Sequence, residues 1–345
     1  MSLDIDKLLR ENIRTMKPYS CARDEFSGEA AAFLDANENP FNSPWNRYPD
    51  PRQVKLKTRV GEIKKVPIKN IFLGNGSDEP IDLLFRAFCE PGKDNIVSIN
   101  PTYGMYRVAA DTNNIAVNLV PLSDEFELDS DAVLAAVTTD TKLIFLCSPN
   151  NPSGNALDHH AMMRIIEGFT GIVVIDEAYI DFCSEKSFLP VLDHFPNLVI
   201  LQTFSKAWGM AGLRLGMAFA TEAIIEILSR IKYPYNLSIL TQQKAIELLA
   251  DEQQKADWVA IILTEREKMI EKLKKYPFVT KVYPTDANFV LVKTPDPRGI
   301  YQYLVDEKII VRDRSSVSLC EGCLRISIGS STENATLIEA LDNLI

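Results

Sequence analysis

Leu198-Val-Ile-Leu-Gln-Thr203-Phe-Ser205-Lys206-Ala-Trp-Gly-Met-Ala-Gly-Leu-Arg214-Leu-Gly216 reads as an apolar strand that runs into a segment holding hydroxyls, glycines and two cations. A lysine beside hydroxyl groups, with an arginine eight residues on, suits covalent attachment of an aldehyde cofactor carrying a phosphate tail. Lysine forms the Schiff base, while serine, threonine and arginine hold the phosphate. Most lysines are solvated surface residues. That alternative weakens here because Lys206 follows a strand expected to be buried, where a solvated charge is out of place.

Outward from this segment, short β-branched runs alternate with helical stretches from about residue 70. The runs are Ile71-Phe-Leu, Asn95-Ile-Val-Ser-Ile, Ile115–Val120, Lys142–Cys147, Ile172–Ile175 and Leu198–Thr203. Strands alternating with helices imply an α/β domain on a mostly parallel sheet covered on both faces. Near residue 235 the character changes. Residues 238–275 are rich in helix formers at helical spacing, as two helices separated near Asp251 or one long bent helix. Val279–Tyr283, Phe289–Lys293, Ile309–Arg312 and Leu324–Ile328 then read as strands around a helix at 297–307, a smaller α+β domain whose junction with the first makes a cleft. Residues 11–54, with prolines at 18, 40, 44, 49 and 51, read as an irregular arm.

The 345 residues are 46% apolar and 24% charged, with 37 Lys and Arg against 47 Asp and Glu, a net charge of −10. That balance speaks against nucleic acid or an anionic membrane as a main partner. No run of 18 apolar residues exists, and MSLDIDKLLRENIR lacks the basic-then-apolar pattern of a secretory signal, so the expectation is a soluble cytoplasmic enzyme. Six scattered cysteines are no disulfide framework, and the single Cys320-Glu-Gly-Cys323, with three histidines in the whole chain, supports no metal site.

Ile172-Val-Val-Ile-Asp176-Glu-Ala-Tyr179 places a carboxylate at a strand end, where open α/β sheets build their clefts. In nucleotide hydrolases such an Asp-Glu holds magnesium, but the partner loop G-x-x-x-x-G-K-[ST] is absent: Gly92-Lys93 is followed by Asp94, and position 87 is Ala87. The other reading pairs Asp176 with a pyridinium nitrogen and lets Tyr179 reach the ring's phenolic oxygen; a helix-capping Asp is the structural alternative. Cys147-Ser-Pro-Asn-Asn-Pro-Ser-Gly154 is explained by a turn alone, yet Asn151 offers an amide donor to the same oxygen. Gly74-Asn-Gly-Ser-Asp-Glu79 opens a helix, so the N–H groups of Gly76, Ser77 and Asp78 suit phosphate as well as a plain N-cap. Tyr103 is placed to stack on an aromatic cofactor, or belongs to the core.

In this order the motifs resemble the aspartate-aminotransferase-type (fold type I) pyridoxal-phosphate enzymes, and more narrowly the histidinol-phosphate aminotransferases. The resemblance extends over Asn12-Ile-Arg, Lys17-Pro-Tyr-Ser-Cys-Ala-Arg-Asp-Glu25, Leu34-Asp-Ala-Asn-Glu-Asn-Pro40 and Arg47-Tyr-Pro-Asp50. It continues through Tyr233-Pro-Tyr-Asn236, Val311-Arg-Asp313 and Gly322-Cys-Leu-Arg-Ile326. Ser153 departs mildly from the threonine of many relatives. The resemblance implies pyridoxal 5'-phosphate as cofactor and Lys206 as Schiff-base lysine and proton carrier. Asp176 then faces the ring nitrogen, Tyr179 and Asn151 the phenolic oxygen, and Tyr103 the ring. Gly76, Ser77, Asp78, Thr203, Ser205 and Arg214 surround the phosphate, joined by Tyr48 from a neighbouring subunit of a homodimer. Arg325 and Arg312 are implied as the substrate's anion ligands, with Tyr19, Asn37 and Asn151 also at the substrate and Arg23 on a covering arm. The implied division is an arm over 1–35, a large cofactor-binding domain over 36–255 and a small C-terminal domain over 256–345. The implied reaction is transamination between L-histidinol phosphate and 2-oxoglutarate, giving imidazole acetol phosphate and L-glutamate, in histidine biosynthesis.

Within the fold, an aromatic or branched-chain aminotransferase and a phosphoamino-acid decarboxylase share the Lys206 and Asp176 chemistry. Outside it stand a nucleotide hydrolase using Asp176-Glu177 and a cofactor-binding regulator, for whose basic DNA-binding domain this acidic chain has no spare length.

Overall fold

The computed structural model describes residues 5–17, 19 and 31–344. The alternating segments form a seven-stranded sheet. Its strands are β1 (Ile71–Asn75), β2 (Asn95–Asn100), β3 (Ala116–Pro121), β4 (Thr141–Cys147), β5 (Ile172–Asp176), β6 (Leu198–Thr203) and β7 (Leu215–Phe219). Across the sheet they run β1-β7-β6-β5-β4-β2-β3. All point one way except β7, which is antiparallel to both neighbours. Sequence reading does not find β7, because Leu215-Gly-Met-Ala-Phe219 looks like the tail of the Lys206 segment. Only residues 204–214 separate β6 from β7, fewer than the roughly dozen a parallel crossover needs, so the chain returns antiparallel.

Successive residues of each central strand sort into two cores. Ile144, Leu146, Val173 and Ile175 face one layer, and Leu143, Phe145, Ile172 and Val174 the other. Helices Asp78–Phe88, Met105–Thr112 and Glu222–Ile231 cover the second face, while Val54–Lys64 and His159–Gly168 cover the first. The stretch 11–54 is not wholly irregular: Glu11–Thr15 is helical, and helix Val54–Lys64 begins at its end. That second helix buries only Leu56 and Val60, so its apolar stripe is too sparse to stand out in the sequence.

The helical region resolves into Ile239–Leu248 and Glu252–Leu273, broken at Asp251, whose carboxylate accepts the Gln254 N–H at 2.9 Å. The longer helix runs through the 255/256 junction. A second, antiparallel sheet follows, with β8 (Lys281–Val282), β9 (Phe289–Lys293), β10 (Arg312–Asp313) and β11 (Cys323–Ser327) in the order β10-β11-β9-β8. One face packs Val290, Val292 and Ile326 on helices Glu252–Leu273, Pro297–Asp306 and Ser331–Asp342. The other, through Leu291 and Cys323, joins the core of the main sheet. Arg325 alternates with Leu324 and Ile326 and so faces the main sheet. No described helix is long and apolar enough to cross a membrane.

Candidate active site

The carboxyl ends of β1, β4, β5 and β6 share one edge of the sheet, and β7 starts there. Cys147 pairs in register with Asp176, Thr203 with Gly216, and the Gly76 N–H donates to the Arg214 carbonyl at 2.7 Å. One cavity results, lined by Gly76, Ser77, Asp78, Tyr103, Cys147, Asn151, Asp176, Ala178, Tyr179, Thr203, Ser205, Lys206, Ala211 and Arg214. The strand-end position is where open α/β sheets place ligands.

Asp176 is the deepest polar group of the cavity, 2% exposed. Its Oδ2 accepts the Tyr106 hydroxyl at 2.6 Å and its Oδ1 the Ala178 N–H at 3.0 Å. Burial pushes its pKa up to about 6, against the pull of those two donors. No lysine or arginine forms an ion pair with it among the described residues, so a buried acid stands ready for a cation. Tyr106 escapes the sequence reading. It is buried in helix Met105–Thr112, stacked on Phe145 with centroids 4.8 Å apart and edge-on to Tyr103 at 5.6 Å.

Lys206 is less buried than its strand suggests. It stands in the open cavity with more than a third of its surface accessible, while protein surrounds its ammonium, which lies 5.5 Å from the centroid of the Tyr179 ring. Desolvation lowers its pKa first, and then the positive charges of Arg325 and Arg214, with Asp176 opposing. The result is an amine neutral more often than a surface lysine's.

Helix Asp78–Phe88 begins at the cavity wall, and its first N–H groups and dipole favour an anion. Gly76 sits at φ +70°, and a Cβ there would come 2.7 Å from the Arg214 Nη2. Ser205 and Thr203 hold each other's hydroxyls at 3.0 Å, and the Tyr103 hydroxyl donates to Asp78 at 3.1 Å. Asn236 ties this wall to the Tyr233-Pro-Tyr-Asn236 segment: its amide donates to the Leu73 carbonyl at 3.0 Å and to Glu79 at 3.1 Å, and its carbonyl accepts from Asn75 at 2.6 Å. From the small sheet, Arg325 donates to the Asn151 Oδ1 at 2.5 Å and lies 5.2 Å from the centroid of the Phe289 ring. The Asn151 amide nitrogen is thereby turned away from the arginine.

A family model described as aminotransferase class I and II matches residues 30–343. The chain belongs to the class I and II aminotransferases. It is 56% identical over 341 residues to a histidinol-phosphate aminotransferase of Parabacteroides distasonis, and 53% identical over 345 residues to one of Cytophaga hutchinsonii, with 99% of each chain covered in both cases. In three dimensions it is similar to the histidinol-phosphate aminotransferase of Sinorhizobium meliloti in complex with pyridoxal-5'-phosphate, with a TM-score of 0.79, 24% identity and 90% of each chain covered.

Pyridoxal 5'-phosphate is the cofactor of this aminotransferase family, and the cavity's donor set fits it. The Gly76 cradle, the helix start, Ser205 and Arg214 suit the phosphate; Asp176, without an ion pair among the described residues, suits a protonated ring nitrogen; Lys206, which feels the charges of both Asp176 and Arg214, suits the aldehyde. The aminotransferase cavity gathers all the sequence-derived cofactor ligands except Tyr48, and adds Cys147, Ala178 and Ala211. Tyr48, half exposed, stacks on Tyr235 with centroids 4.4 Å apart. Four substrate candidates, Tyr19, Asn37, Arg312 and Arg325, also stand outside the lining, Arg325 reaching it through Asn151. Tyr19 is 72% exposed beside Arg10 and Tyr233, Asn37 lies exposed in the arm, and Arg312 is exposed opposite Arg325 across β10 and β11. Arg23 lies outside the described residues.

Proposed function

We propose that this aminotransferase moves an amino group between L-histidinol phosphate and 2-oxoglutarate, in histidine biosynthesis. The observation that carries the substrate is the near full-length identity to relatives of that name. The geometry supports it with two arginines, Arg312 and Arg325, at the cavity side of the small sheet, since a guanidinium fork accepts either a carboxylate or a phosphate.

When bound, the cofactor supplies an electron sink for the electron pair released at the substrate's α-carbon. Lys206 would hold the cofactor covalently at rest, and its Nζ, once released, is the base that would carry the substrate's α-proton. Asp176 keeps the ring nitrogen protonated, and that charge in turn keeps Asp176 ionised in a site where burial alone favours the neutral acid. Tyr179 and Asn151 would donate to the phenolic oxygen, and Tyr103 would cover the ring. Ser77, Asp78, Thr203, Ser205 and Arg214 hold the phosphate end. The assignment also includes Tyr19 and Asn37 toward substrate, the three-part division at 35 and 255, a cytoplasmic location, and a homodimer in which Tyr48 reaches the other subunit's phosphate. Leu34, Phe41, Trp45 and Tyr48, all exposed within one stretch of the chain, support that stretch as a dimer contact.

Borohydride reduction of the holoenzyme followed by peptide mapping is expected to fix the cofactor on Lys206; label on another lysine overturns the site. Single-turnover spectra are expected to bleach faster with histidinol phosphate than with phenylalanine or tyrosine. The reverse order, or carbon dioxide release from a phosphoamino acid, overturns the substrate.

A further inference from the structure

We propose that Arg314 is a third anion-binding arginine of the substrate site, acting with Arg312 and Arg325 on the phosphate dianion of the amine substrate. The inference rests on the phosphate-ester reading above and assigns a residue which that reading leaves out.

The strand register carries it. In the antiparallel pair of β10 and β11, Arg312 lies directly opposite Arg325. Two residues on, the Arg314 N–H donates to the Cys323 carbonyl at 2.9 Å. Arg312 and Arg314 on one strand and Cys323 and Arg325 on the other therefore point to the same side. None of the three arginines lines the cavity itself, but that side is turned toward it: Cys323 packs into the main core, Arg325 reaches the lining residue Asn151, and the charges of Arg325 and Arg314 both act on the lining residue Tyr179. The Phe289 ring beneath Arg325 also meets Tyr179 edge-on at 5.2 Å.

Three guanidinium groups on one face need a counter-charge. Like charges directly opposite in a sheet destabilise it, and none of the three makes an ion pair among the described residues. Asp313, between two of them, alternates to the other side and accepts the Ser315 N–H at 2.8 Å. The Arg314 Nε is buried without a hydrogen-bond partner, an arrangement that leaves a donor's desolvation unrepaid. Desolvation, and then the charges of Arg325 and Arg312, lower the proton affinity of Arg314, as expected of a cation held among cations.

The number of forks points to the ligand. Glutamate brings two separate carboxylates of one charge each, and one fork, Arg325 or Arg312, can satisfy each of them. A phosphate monoester gathers close to two charges and three terminal oxygens at a single point, where a third guanidinium on the same face gains more than it does at a lone carboxylate.

The test compares wild-type holoenzyme with Arg314→Gln and Arg314→Lys, each half-reaction measured separately. A lost charged hydrogen bond corresponds to about 10- to 100-fold. Arg314→Gln is expected to lower kcat/KM for histidinol phosphate by that factor, mainly through KM. The loss with glutamate is expected to be about tenfold smaller, and Arg314→Lys recovers part of the ester's loss. Binding of inorganic phosphate to the holoenzyme, whose own phosphate site is filled, is expected to weaken in parallel. Equal losses for ester and glutamate, or unchanged phosphate affinity, overturn the role of Arg314. Failure of the wild type to turn over histidinol phosphate overturns the substrate reading instead, and the inorganic phosphate titration then still decides Arg314. If Arg314→Gln does not fold, Arg314→Lys decides: ester and glutamate rates falling by the same factor refute the proposal.

Discussion

Tyr106→Phe removes one hydroxyl and leaves the ring in its stack against Phe145. The lost contact is the 2.6 Å hydrogen bond to the Oδ2 of Asp176, and both groups are buried. To an ionised carboxylate such a bond contributes about 1.5–3 kcal/mol; to a neutral acid it contributes about 0.5–1.5 kcal/mol. The difference appears as a further rise of the Asp176 pKa by about one unit, at about 1.4 kcal/mol per unit. The sign follows from proton binding. With a folded pKa of about 6 against an ordinary 3.8, the folded protein keeps a proton that the unfolded chain releases. Stability from this group therefore falls as pH rises from about 4 through 6 and is level above that. In Tyr106→Phe the fall continues to about pH 7. Urea unfolding of the cofactor-free protein is expected to show a deficit of about 1 kcal/mol at pH 5.5, growing to about 2–3 kcal/mol at pH 8. A deficit independent of pH would show that Tyr106 only fills space, and would refute its electrostatic role.

Gly216→Ala drives a Cβ to 2.2 Å from the Ser77 nitrogen and 2.3 Å from the Gly76 carbon, backbone atoms that cannot turn aside. Loss of about 3 kcal/mol or more in stability and much weaker cofactor binding are expected, read by denaturation and by fluorescence titration. Glu177 is buried, its pKa pushed up to about 7 by desolvation, yet it accepts from the Phe188 N–H at 2.6 Å and from Ser187 and Gln202 at 2.8 Å. Glu177→Gln sets an amide N–H against one of those donors and is expected to lower Tm by several degrees, with cofactor absorbance retained. In the cofactor-free protein Lys206 is expected to react with trinitrobenzenesulfonate at pH 7.5 faster than solvated surface lysines, and more slowly in Arg325→Gln. Mass spectrometry of the peptides reads both, and an unchanged rate in the variant removes Arg325 as a cause of the lowered pKa.

The parts of this site legible in the sequence are those whose chemistry coincides with a change in local pattern. Asp176 and Lys206 both follow runs of apolar, β-branched residues, so an ionisable group there conflicts with its surroundings and draws notice. Gly76 precedes a helix start, where an anion site has a local cause. Tyr106 produces no such conflict. Tyr103 and Tyr106 are spaced as neighbours on one helical face, an ordinary core pattern, and the partner that gives Tyr106 its role lies seventy residues away. Strand β7 was hidden for a related reason: its reversal depends on the shortness of the connection and on an open place between β1 and β6, which only the assembled sheet defines.

Arg314 lies between these cases. Arg312-Asp313-Arg314 has the alternation of a strand with two cations on one face, so its period was readable, but β10 has only two residues, too few for a strand pattern to assert itself. Its meaning comes from β11, which sets Arg325 opposite Arg312 and turns the whole face toward Asn151. A charge with a chemical task is thus recognisable from sequence when its own strand or helix makes it anomalous. When the anomaly is between strands, as for three arginines without a carboxylate, the register has to be known first.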